Sequence, residues 1–312
     1  MYKVLISCPP MIKQKEHLIE RCKQLGIEPY WAQIIQQFSE KELIEQISNF
    51  DGWIIGDDPC TRSVIAKGKS GRLRALVKWG IGVDNIDFAA CTEFKMPISN
   101  TPNMFGDEVA DLAIAYLINL ERKIIDVHNG VLVGQWLKPT GSSVKGKIAG
   151  IVGLGDIGKA IAQRLNVMGI NAIGYDPYLK DKNVEKFIKV NTWPEEVKKL
   201  DYLFLACSLT KETRHLINSS TISKFKPMIK IINVSRGPLI NEKDLIQAID
   251  NNLVGGAALD VFEEEPLSKK SPLLNYENLI FGAHNASNTF EAVMRTSYLA
   301  LEKMADFLKY QP

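Results

Sequence analysis

The chain has 312 residues, 46% hydrophobic and 24% charged, and its 38 Lys and Arg against 36 Asp and Glu leave a formal charge of +2. At roughly 100–200 residues per domain this length predicts two domains, and the composition excludes disorder and collagen-like repeats. The near balance of charge gives no reason to expect nucleic acid or a membrane surface as partner. The apolar run at residues 4–6 is too short for a signal peptide, and no stretch reaches the ~20 apolar residues of a membrane helix. Five scattered cysteines without a CxxC pair predict reduced thiols in a cytoplasmic protein and no metal site.

In chain order, residues 4–7 read as a strand, 15–25 as a helix, 52–55 as a second strand and 73–78 as a third, which runs into Trp79-Gly80-Ile81-Gly82. Strands separated by helical patterns predict a parallel sheet with covering helices. One long helix is expected over 107–129, opened by Asp107 and Glu108 at its positive end, and a loop over 134–146. A second series begins at Lys147. Strands are expected at 148–152, 171–175, 202–206, 230–233, 256–259 and 279–281, with helices at 157–168 and 289–308.

Between the strand at 148–152 and its helix stands Gly153-Leu154-Gly155-Asp156-Ile157-Gly158, a GxGxxG. Alone it is a weak signal, but strand, turn and helix occur in the right order, and Asp176 ends the next strand. Gly153 permits the tight turn, Gly155 lets backbone approach a pyrophosphate, and Gly158 allows close packing of helix on strand. The helix N-terminus offers N–H groups to phosphates. The Asp176 carboxylate suits ribose hydroxyls and repels a 2′-phosphate, so NAD is expected over NADP, a preference softened by Lys180 and Lys182.

Of the four histidines, His17 and His128 lie in helical patterns and His215 in a polar turn, where a structural or solvated role is the ordinary one. His284 follows the apolar run 279–281, at a strand's carboxyl end, where open α/β sheets bind ligands. Arg236 and Asp260 have the same placement, and Glu265 closes the acidic run 263–265.

These residues sit in blocks that together resemble the D-isomer-specific 2-hydroxyacid dehydrogenases, in particular the phosphoglycerate dehydrogenase-like members. The blocks are Gly80-Ile81-Gly82-Val83-Asp84-Asn85-Ile86-Asp87, the glycine turn with Tyr175-Asp176-Pro177, Asn233-Val234-Ser235-Arg236-Gly237-Pro238-Leu239-Ile240, residues 258–266 and Gly282-Ala283-His284-Asn285-Ala286-Ser287. They span almost the whole chain in family order. Departures are Ala283, where the family often has Pro, and Ser208-Leu209-Thr210, where it has Pro-Leu-Thr.

The resemblance implies an α/β fold of two doubly wound, Rossmann-like parallel-sheet domains, the cofactor domain inserted into the substrate domain. Residues 1–99 with 288–312 would bind substrate, residues 100–287 would bind NAD, and the two would close on each other around the reactants. It implies an NAD-dependent oxidoreductase that transfers hydride between nicotinamide and C2 of a D-2-hydroxy acid or 2-oxo acid, as a homodimer, without metal. Arg236, Glu265 and His284 would be catalytic. Arg236 would clamp and polarise the substrate, and His284 would exchange the proton. Glu265 would hydrogen-bond the imidazole and favour its charged form. Gly153, Gly155, Asp156, Ile157, Gly158, Asp176, Val234, Ser235, Asp260, Arg236 and His284 would line the cofactor, and Gly80, Ile81, Gly82 and Arg236 the substrate. Asp57 and Asp58, after the second strand, would repel a phosphorylated acid unless Arg62 and Lys78 compensate. Two alternatives share the fold: a non-catalytic NAD-sensing scaffold and a formate- or phosphite-type dehydrogenase.

Overall fold

The computed structural model describes residues 1–179, 182–186 and 188–310, without the side chains of residues 182 and 185. The chain divides into two compact units, Met1–Met104 with Asn288–Pro312, and Phe105–Ser287.

The first unit holds β1 (Tyr2–Ile6), β2 (Ile27–Trp31), β3 (Gly52–Ile55), β4 (Ala75–Lys78) and β5 (Ile98–Asn100), in the order β2-β1-β3-β4-β5 with every pairing parallel. β3 and β4 are buried along their whole length, as continuous apolar strands covered on both faces must be. The helix Phe290–Tyr310 packs on β3 and β4, and Gly52 leaves the space that the Met304 side chain fills.

The second unit holds β6 (Ile148–Val152), β7 (Asn171–Tyr175), β8 (Lys189–Asn191), β9 (Tyr202–Leu205), β10 (Ile229–Asn233), β11 (Val254–Leu259) and β12 (Leu279–Phe281), in the order β12-β11-β10-β9-β6-β7-β8, again all parallel. The chain runs outward from β6 through β7 to β8, then returns to β9 on the other flank. The boundary between β6 and β9 is thus the topological switch point, outside which such sheets leave a crevice. The turn after β6 lies against the chain leaving β9 there: a Cβ on Gly153 would collide with the Cys207 backbone.

The long helix expected over 107–129 is two helices, Gly106–Arg122 and Ile124–Leu132. They join at Lys123, whose backbone is left-handed at φ 55°. Its N–H ends the first helix on the Asn119 carbonyl at 2.8 Å, and the Asn119 side chain accepts the Ile125 N–H, an orphan donor of the second, at 2.9 Å. Apolar periodicity runs through the break because both helices keep their apolar spacing. Among the described residues no helix is long and apolar enough to cross a membrane.

Candidate active site

The glycine turn is built as a cradle. Gly153 has φ 91°, which costs glycine nothing and an L side chain a good deal, and a Cβ on Gly158 would collide with the Gly153 carbonyl. Around a Cβ on Gly155, by contrast, there is open space. That opening lies at the N-cap of the helix Asp156–Val167, whose first N–H groups lack partners within the helix. Asp156 and Ile157 open this helix and are half-buried. Asp176, just beyond β7, accepts the Leu154 N–H on Oδ2 and the Tyr178 N–H on Oδ1, each at 2.8 Å. Lys180 lies outside the described residues, as does the side chain of Lys182.

Polar residues gather where β10, β11 and β12 end side by side. Val234, Ser235 and Arg236 follow β10, where the Asn233 side chain shapes the turn: Oδ1 accepts the Ser235 N–H at 3.1 Å and Nδ2 donates to the Arg236 carbonyl at 2.9 Å. The Ser235 hydroxyl donates to the Cys207 carbonyl, and Arg236 Nη1 to the Ser235 carbonyl at 2.9 Å. Asp260 follows β11 and is 1% exposed. Glu265 Oε1 accepts the Phe262 N–H at 3.0 Å, and Oε2 lies 2.7 Å from His284 Nδ1. His284, beyond β12, is half-buried, and its φ of 50° is a left-handed conformation rare outside glycine.

Two contributors escape sequence reasoning. His215 Nε2 lies 2.6 Å from Glu263 Oε1 and its N–H donates to the Pro238 carbonyl at 2.8 Å, so it ties together the segments that follow Arg236 and precede Glu265. Tyr116 donates to Asp260 Oδ1 at 3.0 Å. A polar turn and an apolar helix carry no local mark of either contact. Among the described residues no group of three or more His, Cys, Asp or Glu could hold a metal ion.

In the first unit, Gly80, Ile81 and Gly82 leave the carboxyl end of β4. Gly80 has φ 111° and donates its N–H to the Thr101 hydroxyl at 2.7 Å, while Ile81 is 44% exposed. Asp58 does not face a ligand: fully buried, it accepts the Ser7 hydroxyl at 2.5 Å, the Phe38 N–H at 2.9 Å and the Gly56 N–H at 3.1 Å, and burial pushes its carboxyl up. Asp57 is half-exposed and lines a cavity of about 430 Å³ together with Asp84 and Asp87.

Residues 114–286 match the model of the D-isomer specific 2-hydroxyacid dehydrogenase, NAD binding domain. The chain belongs to the D-isomer specific 2-hydroxyacid dehydrogenase family. It is 32% identical to D-3-phosphoglycerate dehydrogenase of Methanocaldococcus jannaschii, over 99% of this chain and 58% of that protein, so it spans little more than half that relative's length. It is 34% identical to glyoxylate reductase of Thermofilum pendens, over 76% of this chain and 72% of that one. Among solved structures, D-lactate dehydrogenase of Escherichia coli in its apo form superposes with a TM-score of 0.86 at 25% identity, covering 100% of this chain and 98% of that one.

The second unit therefore carries the family's nicotinamide-cofactor domain, and its residues fit the group. The open space at Gly155 beside the helix N-terminus would suit a pyrophosphate, and Asp176, held by two N–H donors, would suit the ribose hydroxyls.

Proposed function

We propose that the chain is an NAD-dependent oxidoreductase interconverting a D-2-hydroxy acid and its 2-oxo acid. The observation that carries this reading is the 2.7 Å contact between His284 and Glu265, on the strand ends that also bear Arg236 and the glycine turn. A bound nicotinamide supplies or accepts the hydride. Arg236 offers its fork of donors to the substrate's carboxylate and 2-oxo oxygen and steadies the charge that develops there. His284 gives that oxygen a proton in reduction and takes it back in oxidation, while Glu265 fixes the ring and favours its charged form. Gly80, Ile81 and Gly82 are the first unit's candidates for substrate binding. The first unit is assigned to substrate and the second to cofactor, with Asp156, Ile157, Val234, Ser235 and Asp260 lining the latter.

The first unit supports an unphosphorylated substrate. Arg62 is occupied by a two-pronged ion pair with Glu93, and Lys78, 3% exposed, donates to the Gly56 carbonyl and lies 3.4 Å from Asp57. Neither cation is set out for a phosphate, and three aspartates face the cavity beside them. Asp176 supports NAD over NADP. Exposed Ile124, Ile125, Leu132, Val133, Trp136 and Leu137 support a homodimer, and five free thiols support a reducing, cytoplasmic setting.

The test is NADH oxidation with glyoxylate, hydroxypyruvate, pyruvate, a branched 2-oxo acid and 3-phosphohydroxypyruvate, NADPH serving as cofactor control. An unphosphorylated acid is expected to lead the phosphorylated one by about tenfold or more in kcat/KM, the equivalent of one modest charge repulsion. Preference for 3-phosphohydroxypyruvate ends the substrate assignment. Silence across the panel with NADH bound leaves either a larger 2-oxo acid as substrate or a nucleotide-sensing scaffold.

A further inference from the structure

We propose that Tyr116 is a positioning residue for proton transfer: by holding the buried carboxylate of Asp260, its hydroxyl sets the 282–286 turn from which His284 projects. This rests on the reading of His284 as the acid/base group.

Asp260 grips that turn at two points. Its carbonyl accepts the His284 N–H at 2.7 Å, and its Oδ2 accepts the Ala286 N–H at 2.9 Å. The Tyr116 hydroxyl, from the helix Gly106–Arg122, donates to the other carboxylate oxygen. Both side chains are shut from water, Tyr116 at 9% exposure and Asp260 at 1%. A buried carboxylate is stable only while donors surround it, so losing the phenol OH leaves a charge that must turn or take up a proton. Either response slackens its hold on Ala286.

Gly282 completes the arrangement. A Cβ there would collide with both Asp260 Oδ1 and the Tyr116 hydroxyl, so the turn approaches closely because that residue has no side chain. Burial and the neighbouring Asp260 charge push the phenol well above its ordinary range, which keeps it a donor. The left-handed backbone of His284 is the part that needs the brace. Such a conformation is strained for a residue with a Cβ and persists only where the surroundings over-determine it.

Tyr116→Phe removes the hydroxyl and keeps the ring. The first measurement is hydrogen exchange, which needs no substrate. The amides of residues 284–286 are expected to exchange about tenfold faster or more in the variant, with the rest of the second unit unchanged. Unchanged protection there overturns the brace. The second is a double-mutant cycle on NADH oxidation with glyoxylate, or whichever acid of the panel turns over. Tyr116→Phe is expected to lower kcat about tenfold, a larger change than any rise in the KM for NADH that follows from disturbing Asp260, because small misplacements of a reacting group carry losses of this size. Added to His284→Ala, it should change the residual rate less than twofold.

Equal losses in both backgrounds, or a raised KM for NADH at full kcat, overturn the assignment. Full turnover in His284→Ala alone overturns the acid/base reading itself, and the exchange experiment still judges the contact. If Tyr116→Phe does not fold, Gly282→Ala attacks the same contact from the turn, and the same loss, dependent on His284, is expected.

Discussion

Asp176 does two things with one carboxylate. Its oxygens are held by the Leu154 and Tyr178 N–H groups, which tie the glycine turn to the end of β7 and fix a negative charge in place. A 2′-phosphate about 4 Å away would meet a repulsion of roughly 1 kcal/mol in water and about 4 kcal/mol at an effective dielectric of 20. Asp176→Ser should therefore raise the NADPH to NADH ratio of kcat/KM by about 10- to 100-fold. It should also weaken NADH itself, since one hydroxyl replaces two acceptors. A ratio that stays put would leave the cofactor preference to another residue. Asp176, Arg236, Asp260 and His284 were legible because each follows an apolar strand, and strand ends are where parallel sheets place ligands. The partners Tyr116 and His215 were not, since each reaches its carboxylate across tens to more than a hundred residues of sequence.

Strands in the middle of each sheet read plainly, and of the four edge strands only β12 did. β3, β4, β6, β7, β9, β10 and β11 are mostly buried on both faces and appear as apolar runs. β2, β5 and β8, which the sequence reading leaves out, are all edge strands. β2 carries a half-buried Pro29, and β5 and β8 are three residues each, with no buried position. Short, half-wet edges of this kind resist pairing with other chains, and they carry little hydrophobic signal for the same reason. The broken helix offers a test with two opposite signs. Asn119→Ala removes the acceptor for Ile125 and should cost about 1 kcal/mol. Lys123→Gly relieves the left-handed joint and should stabilise by up to about 1 kcal/mol. Urea unfolding of both variants checks this, and a Lys123→Gly protein no more stable than its parent would show that the joint carries no strain.

The chain leaves its first unit after Met104 and comes back to it at Asn288, so each unit has its own parallel sheet and its own core. The second unit shows a run of apolar side chains that its own folding does not bury: Leu132 is 70% exposed, Val133 72% and Trp136 78%. A patch of this kind is costly in water and marks an interaction surface. If it joins two copies, Trp136→Glu combined with Leu132→Lys should shift the protein from dimer to monomer at micromolar concentration, as read by sedimentation equilibrium. A wild-type protein that sediments as a monomer would remove the dimer from the proposal.

Composition and pattern were enough for a two-domain α/β chain, for the glycine turn and for the strand ends that carry Arg236, Asp260 and His284, while Glu265 came from the family resemblance. Those features are local: alternation of strand and helix, a glycine where φ must be positive, a polar residue just beyond an apolar run. The tertiary structure decided the rest. It withdrew Asp58 into a buried set of donors, tied Arg62 to Glu93, capped the helix that begins at Ile124 with the Asn119 side chain, and set Tyr116 on Asp260. Each of these depends on which hydrogen-bonding groups are left together away from water, and that is settled only when distant segments pack.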